Sequence, residues 1–357
     1  MALAMPPAAE VQDLGHLEGP VLVFGGAYSN LHALEAMLKL AKQDLGIPPS
    51  RIIHTGDVVA YCAHPLETTE LLMRSGVSCL LGNCEESIGA GSLDCGCGFP
   101  EDSACAAFSQ NWYAYVMSEL KDCPDLKTWM AGLPRRIEFT VAGRRLAVVH
   151  GSPSEISRFI WPSSAGAELE ANMDVLPPSV EGVICGHSGM PFARLVPGRA
   201  TSASGGRNRS RLWLNAGVIG MPANDGTQQA WYAVLSPTAG QIRVDLRSLD
   251  YDAQGAADAI LARPQLVRAY GDSLTTGIWP SHDILPVDEQ MASGVPLSEF
   301  SLEWPAEPDG ADARTDGFSR RLQPSAALAA ALVACTVALA LAASSHRFFS
   351  PARRRFL

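Results

Sequence analysis

Residues 51–65, which read RIIHTGDVVAYCAHP, decide the fold. Residues 51–55 form a short apolar run typical of a buried strand, and Gly56-Asp57 follows it directly. Residues 65–74 then have the pattern of a helix, with a proline that the first turn tolerates. The stretch therefore predicts a buried strand, a short polar loop and a helix.

The neighbouring segments repeat this order on both sides. Residues 21–24 are an apolar run, and residues 31–45 place their leucines on one helical face. Residues 77–81 form another apolar run, which ends in Gly82-Asn83. Alternating strands and helices predict a parallel sheet that is covered by helices.

The second half of the chain is rich in predicted strands. Residues 88–105 lack periodicity and read as a loop, and residues 106–133 have a helical pattern. Residues 137–141 and 146–150 alternate in polarity and predict a hairpin. Further strands are expected at residues 182–185, 192–196, 212–214, 230–235 and 242–246, and short helices at residues 165–175 and 256–262.

Four of these strand ends carry a group that binds metals. They supply a carboxylate, an amide and two imidazoles, on Asp57, Asn83, His150 and His187. A Gly-Asp, Gly-Asn or Gly-His after a strand is usually only a turn. Together and in this order, they predict one cation site at the ends of adjacent strands.

The polar loops, taken in order, resemble those of the calcineurin-like metallophosphoesterases. The family pattern is D-x-H-G-N, GD-x-x-x-(Y), GN-H-D/E, HG, GH-x-H and N-P-G-S. This chain reads YSN at residues 28–30, GDVVAYCAHP at 56–65, GNCEE at 82–86, VHGSP at 149–153, GHSG at 186–189 and NAGVIGMP at 215–222. The resemblance covers about residues 20–247 and implies an α/β fold, a two-sheet β sandwich flanked by helices with metals at the strand ends.

The departures from this pattern are selective. In the first motif only Asn30 is kept, and Gly189 replaces the last histidine of GH-x-H. In the family, the missing groups belong to one of two metals, while the set for the other metal is complete here. The resemblance therefore implies a reduced site that holds a single divalent ion, Mn, Fe or Zn, or none at ordinary concentrations.

The resemblance also implies candidates for catalysis and for substrate contact. Cys84 replaces the family histidine that assists the leaving group, and Glu85 beside it is a candidate acid or base. Asn30 and Asn215 occupy the remaining polar motif positions and are candidates for substrate contact, although a role in shaping the loops is favoured for Asn215.

The chain contains nine cysteines and no apolar leader in its first twenty residues, so we expect reduced thiols. Five of them lie close in sequence: Cys62, Cys84, Cys95, Cys97 and Cys105. They form either a soft-metal or redox site or a set of unrelated thiols. The second interpretation is favoured because no C-x-x-C spacing is present.

Charge and the C-terminal region set further limits. The net charge of −10 and the sequence pI of about 5.3 argue against broad nucleic-acid binding.

Residues 326–343 contain 18 residues without a charge, which predicts a single membrane span that anchors a cytosolic domain. The alternative is an alanine-rich helix.

The expected organisation is an N-terminal extension at residues 1–19, a metallophosphoesterase-like domain at 20–248, its C-terminal extension at 249–304, a linker at 305–325, a transmembrane helix at 326–343 and a basic tail at 344–357. The expected function is hydrolysis of phosphate esters on a small molecule or phosphoprotein, at a membrane. The alternative is a non-catalytic phosphate- or metal-binding or regulatory module that keeps the fold.

Overall fold

A computed structural model describes residues 10–198, 210–239 and 241–305. The strands are β1 (Val11–His16), β2 (Val21–Phe24), β3 (Ile52–His54), β4 (Ser78–Cys79), β5 (Arg136–Val141), β6 (Arg144–Val148), β7 (Val180–Cys185), β8 (Phe192–Val196), β9 (Arg211–Asn215), β10 (Ala230–Thr238), β11 (Gln241–Leu249) and β12 (Phe300–Pro305).

The helices of the described residues are α1 (Leu31–Gln43), α2 (Pro65–Ser75), α3 (Asn83–Ala90), α4 (Ala104–Glu119), α5 (Pro124–Ala131), α6 (Gly166–Asp174), α7 (Ala253–Leu261), α8 (Arg268–Thr276) and α9 (Val287–Met291). A 3₁₀ turn at Pro49–Arg51 leads into β3.

The strands form two sheets of six. The first sheet has the order β1-β5-β6-β7-β9-β8, and the second has the order β12-β11-β10-β2-β3-β4. Strands β2, β3 and β4 are parallel, as the strand–helix alternation predicts. In the first sheet β6 and β7 are parallel neighbours. The carboxyl ends of β3 and β4 therefore lie together, and so do those of β6 and β7.

The two sheets pack face to face around one apolar core. Val23 and Ile53 of the second sheet pack with Phe139, Leu146 and Ile184 of the first, and all five are fully buried. Helices cover the outer faces. Side chains of α1, α2, α4 and α7 share a cluster over the second sheet, and α6 packs on the first. The α/β two-sheet prediction is confirmed.

The region around α3–α5 differs from the prediction. Helix α3 occupies Asn83–Ala90, so the predicted loop at residues 88–105 begins inside a helix. The predicted helix at 106–133 is two helices, because Pro124 cannot continue α4 and instead starts α5 in its first turn. The strand predicted at residues 77–81 is reduced to two residues.

Four elements were missed. Strand β1 is largely exposed, and its sequence VQDLGH carries little apolar pattern, yet it pairs with β5. Helices α8 and α9 and strand β12 lie in a segment whose local signals are mixed. Strand β12 is formed by pairing with β11, more than 50 residues earlier in the chain, which a local pattern does not reveal.

Across residues 10–198, 210–239 and 241–305, the structure contains no helix that is both long and apolar enough to span a bilayer. The predicted span at residues 326–343 and the basic segment at 199–209 lie outside the described residues.

Candidate metal centre

The four predicted ligands meet at the carboxyl ends of four strands. Asp57 follows β3, Asn83 follows β4 at the start of α3, His150 follows β6, and His187 follows β7. All four side chains are buried. The two sheets thus bring together groups that lie up to 130 positions apart in the sequence.

His150 contacts each of the three other side chains of the cluster. Its Nε2 lies 3.3 Å from Oδ2 of Asp57, 3.0 Å from Oδ1 of Asn83 and 2.9 Å from Nδ1 of His187. Its Nδ1 lies 2.7 Å from the carbonyl oxygen of Thr55. That carbonyl accepts only, so Nδ1 carries the proton and the neutral ring turns the Nε2 lone pair inward.

This arrangement fits a cation. In the neutral form, the unprotonated Nε2 of His150 faces two acceptor oxygens, those of Asp57 and Asn83, and the ring nitrogen Nδ1 of His187. The ligand atoms of Asp57, His150 and His187 all lie within 4.8 Å of one another. One carboxylate oxygen, one amide oxygen and two imidazole nitrogens suit Mn, Fe or Zn.

The ionisation of the cluster follows from burial and from mutual contact. Burial raises the pKa of Asp57, but the charge and hydrogen bond of His150 outweigh it and lower the pKa to about 2. Burial, with the neighbouring His150, lowers the pKa of His187 to about 3. Burial alone would lower the pKa of His150, but contact with Asp57 raises it above its ordinary value. One proton on His150 therefore holds the metal-free cluster together at mildly acidic pH.

We expect metal affinity to rise with pH, by about tenfold per pH unit for one displaced proton. Below its raised pKa, His150 is protonated, and an incoming divalent ion must displace that proton. Above this pKa the ring is neutral, so the metal affinity no longer changes with pH. Isothermal titration of Mn²⁺ at several pH values measures this slope. An affinity that does not change between pH 5.5 and pH 7.5 would show that no such proton is displaced.

Glu85 links the loop after β3 to the loop after β4 through hydrogen bonds. Its Oε2 accepts hydrogen bonds from the backbone N–H groups of Asp57 and Gly82, both at 2.8 Å, and its Oε1 accepts one from Val58 at 2.7 Å. The side chain is fully buried. The loops touch at Gly56, whose φ is +95° and where an added Cβ would lie 2.6 Å from N of Gly82. These contacts support a positioning role for Glu85, and its predicted role as acid or base stays a prediction.

Cys84 lies beside the cluster. Its backbone N–H donates to Oδ1 of Asp57 at 3.1 Å, which turns Oδ2 toward His150. Burial raises the pKa of its thiol well above the ordinary value, with help from the charge of Asp57. The thiol therefore stays protonated at neutral pH. Its predicted catalytic role stays a prediction.

Asn30 and Asn215 are both buried, and their amides bond to other protein groups. Oδ1 of Asn30 caps α1 by accepting from Ala33 N, and its Nδ2 donates to the Gly220 carbonyl. Asn215 donates to Oγ of Ser188 and accepts from Gly217 N. These contacts shape loops, and the substrate contacts predicted for both residues stay predictions.

Two cysteines correct the expectation of reduced thiols throughout. Cys95 and Cys97 form a disulfide, while the six other described cysteines are free. The amide Nδ2 of Asn83 donates to the Cys95 carbonyl at 2.9 Å and lies 3.3 Å from Sγ of Cys97. These contacts fix which way the Asn83 amide faces, so its oxygen points at His150.

Sequence reasoning missed several contributors to the centre. The Thr55 carbonyl sets the tautomer of His150, and the Phe159 ring packs 4.4 Å from the His187 ring. A carbonyl has no sequence signal, and Phe159 lies in a loop without periodicity. Their roles follow only from tertiary contacts.

Comparison with known proteins shows the family of this chain. A model described as the calcineurin-like phosphoesterase superfamily domain matches residues 25–240, which is more than half of the chain. The chain belongs to the calcineurin-like phosphoesterase superfamily. Proteins of this superfamily use divalent metals and act on phosphate esters, and the cluster of Asp57, His150 and His187 offers this member a possible metal site.

Individual relatives match the chain over most of their own length. The chain is 26% identical over 263 residues to an uncharacterised protein of Methanocaldococcus jannaschii, covering 72% of this chain and 98% of that protein. A metallophosphoesterase from Sphaerobacter thermophilus superposes with a TM-score of 0.54 at 22% identity, covering 72% of this chain and 99% of that one. A hypothetical protein from Pyrococcus horikoshii gives a TM-score of 0.56 at 18% identity, with 73% and 99% covered.

The family positions that are missing here hold Gly26, Tyr28 and Gly189, and aromatic rings lie beside both glycines. Counting back from Asn30 in D-x-H-G-N places Gly26 at the Asp position and Tyr28 at the His position. The Tyr28 ring occupies the space that a Cβ on Gly26 would need. A Cβ on Gly189 would lie 3.5 Å from the indole of Trp279. The Tyr28 ring therefore leaves no room for a side chain at position 26 without a shift of that ring.

Proposed function

We propose that this chain is a metal-dependent phosphoesterase-like hydrolase that holds one divalent ion on Asp57, Asn83, His150 and His187. The observation that carries the proposal is the convergence of a carboxylate oxygen, an amide oxygen and an imidazole nitrogen on Nε2 of His150 within 3.3 Å. Membership of the superfamily supports phosphate esters as the substrate class.

The residues of the chain prepare the centre for such a substrate. A divalent ion, when bound, neutralises charge on phosphoryl oxygens and acts as a Lewis acid. The Thr55 carbonyl holds the His150 ring in one tautomer, and Cys84 N–H holds the Asp57 carboxylate. The Glu85 carboxylate accepts hydrogen bonds from Asp57 in the loop after β3 and from Gly82 in the loop after β4. Preorganisation of this kind reduces the rearrangement needed when the ligand binds.

Hydrolysis requires a new bond from a water oxygen to phosphorus, loss of the ester P–O bond, and a proton for the leaving oxygen. We propose that the Cys84 thiol, which replaces the family histidine and keeps its proton, stands on the leaving-group side. A thiol with a raised pKa is a weaker acid than imidazolium, so turnover should be slow with alkyl esters and faster with good leaving groups.

The test uses the full-length chain, loaded with Mn²⁺, Fe²⁺ or Zn²⁺ and given aryl phosphate mono- and diesters. We expect hydrolysis that depends on the ion and is lost in His187→Ala, together with about one ion per chain by elemental analysis. His16→Ala, which changes an exposed histidine of β1, is the matched control. Activity that persists unchanged in His187→Ala would remove this centre from the reaction.

A second candidate function is a non-catalytic binding or regulatory module. It is favoured by one observation, the Tyr28 ring that fills the space beside Gly26. In that case the loaded chain binds inorganic phosphate but releases no alcohol from any ester. The same experiment distinguishes the two candidates.

We propose a phosphorylated small molecule or a phosphoprotein as the substrate, and a C-terminal membrane anchor at residues 326–343 that leaves the main domain in the cytosol. Removal of residues 326–357 should release the protein from membranes on fractionation. A truncated chain that still sediments with membranes would contradict the anchor.

A further inference from the structure

A cavity of about 80 Å³ opens directly beside the candidate metal centre. Asp57 and His187 belong both to the centre and to the cavity wall. One water needs about 10–15 Å³ by the same measure, so the cavity has room for a small chemical group. A ligand with its phosphoryl group at the centre would therefore place its alcohol part in this cavity.

The wall of the cavity is unusually aromatic. Seven of its 18 lining residues are Phe, Tyr or Trp, whereas such residues make up 7% of the whole chain. Tyr61 packs 4.8 Å from Tyr270 and 4.9 Å from Tyr28, and Phe159 lies against His187. Such rings present faces and edges at the spacing that aromatic stacking prefers.

Charge in the wall is sparse. No Lys or Arg is among the described residues that line it, and Asp57 is its only carboxylate. A second phosphate or any other anionic group would meet no positive partner there. The group that fits is uncharged and apolar.

One side of the wall comes from beyond the part of the chain that the family model matches. Tyr270 and Trp279 lie in the segment after residue 240. Two hydrogen bonds hold Trp279 in place: its Nε1 donates to the Pro222 carbonyl at 2.7 Å, and its backbone N–H donates to Oδ1 of Asn224 at 2.9 Å. The indole is therefore fixed before any ligand arrives.

We infer that this cavity selects phosphate esters whose alcohol part is a flat aromatic group, and that Trp279 is a specificity-determining residue. The inference rests on the proposed function for the phosphoryl half of the ligand. The aromatic half rests on the cavity alone. Stacking on fixed rings supplies the preference, because every flat π-system offers a face to them.

The experiment measures binding, not turnover, with probes that contain no phosphate ester bond. The full-length chain loaded with Mn²⁺ is titrated with inorganic phosphate and with three phosphonates: phenylphosphonate, methylphosphonate and 2-(trimethylammonio)ethylphosphonate. We expect phenylphosphonate to bind about tenfold or more tighter than methylphosphonate, as stacking on one ring provides. Trp279→Ala should remove most of that preference, and Trp279→Phe should keep part of it.

The matched control is Phe300→Ala, which removes a partly exposed ring on β12 that is not among the cavity-lining residues. It should leave the preference unchanged. Manganese content measured for each variant separates loss of the ion from loss of the cavity wall.

Three outcomes would overturn the inference. Equal affinity for phenylphosphonate and methylphosphonate would show that the cavity has no aromatic preference, and it would leave the proposed function intact. Tightest binding of 2-(trimethylammonio)ethylphosphonate would make the cavity a cage for quaternary ammonium groups instead. Failure of inorganic phosphate and of every phosphonate to bind would remove the proposed function itself, and the inference with it.

Discussion

Replacing His150 with alanine is expected to weaken divalent-ion binding by more than about 100-fold, since changes to groups outside the ligand set already cost about 10–100-fold. His150 is the residue that contacts all the other ligands, with Nε2 within 3.3 Å of Asp57, Asn83 and His187. Its loss removes one ligand and also the positive partner that holds Asp57 in place in the metal-free protein. The measurement is isothermal titration with Mn²⁺ or Zn²⁺.

Controls separate binding from folding. His16→Ala removes an exposed histidine of β1 and should bind the ion as the unaltered chain does. Thermal unfolding of the metal-free His150→Ala chain shows whether the fold survives. Unaltered affinity in a folded His150→Ala chain would mean that the four groups do not share an ion.

The sequence was sufficient for the parts of the centre that local chemistry determines. Apolar runs with a polar group after them placed Asp57, Asn83, His150 and His187 at strand ends, and parallel strands bring such ends together. Periodicity predicted most strands of both sheets, because a buried strand has a composition that does not depend on its partner.

The parts that the sequence did not reveal depend on contacts between distant segments. Strand β12 is a strand only because β11 pairs with it, and Trp279 reaches the cavity only because Pro222 and Asn224 hold it. The disulfide between Cys95 and Cys97 was also missed, because the absence of an apolar leader favoured reduced thiols. No local pattern signals the pairing of β12 or the position of Trp279.

Aromatic rings lie beside two glycines that stand where the family pattern has ligands. The Tyr28 ring occupies the space that a Cβ on Gly26 would need, and the Trp279 indole would be in ordinary contact, at 3.5 Å, with a Cβ on Gly189. Both rings line the cavity beside Asp57. These rings give the cavity an apolar contact surface, which supports the inferred binding by stacking.

Glu85→Ala should produce the largest loss of stability, because it leaves three buried backbone N–H groups without an acceptor. The donors are those of Asp57, Val58 and Gly82, at 2.7–2.8 Å in the native chain. Each unsatisfied buried donor costs about 1–3 kcal/mol. The sum is several kcal/mol, a large share of the roughly 5–15 kcal/mol that keeps a typical domain folded. Glu85→Gln keeps one acceptor oxygen and should lose less.

The adjacent Glu86 provides the matched control. Its carboxylate pairs with Arg135 at a partly exposed site, and surface pairs are worth about 0–1 kcal/mol, so Glu86→Ala should shift stability little. Urea unfolding of the metal-free full-length chains measures both free energies of unfolding. We expect Glu85→Ala also to weaken Mn²⁺ binding, because the loop that carries Asp57 loses its support. Equal unfolding midpoints for the two alanine variants would show that the three hydrogen bonds to Glu85 do not hold the loops, and would leave the carboxylate free for the acid or base role predicted from the sequence.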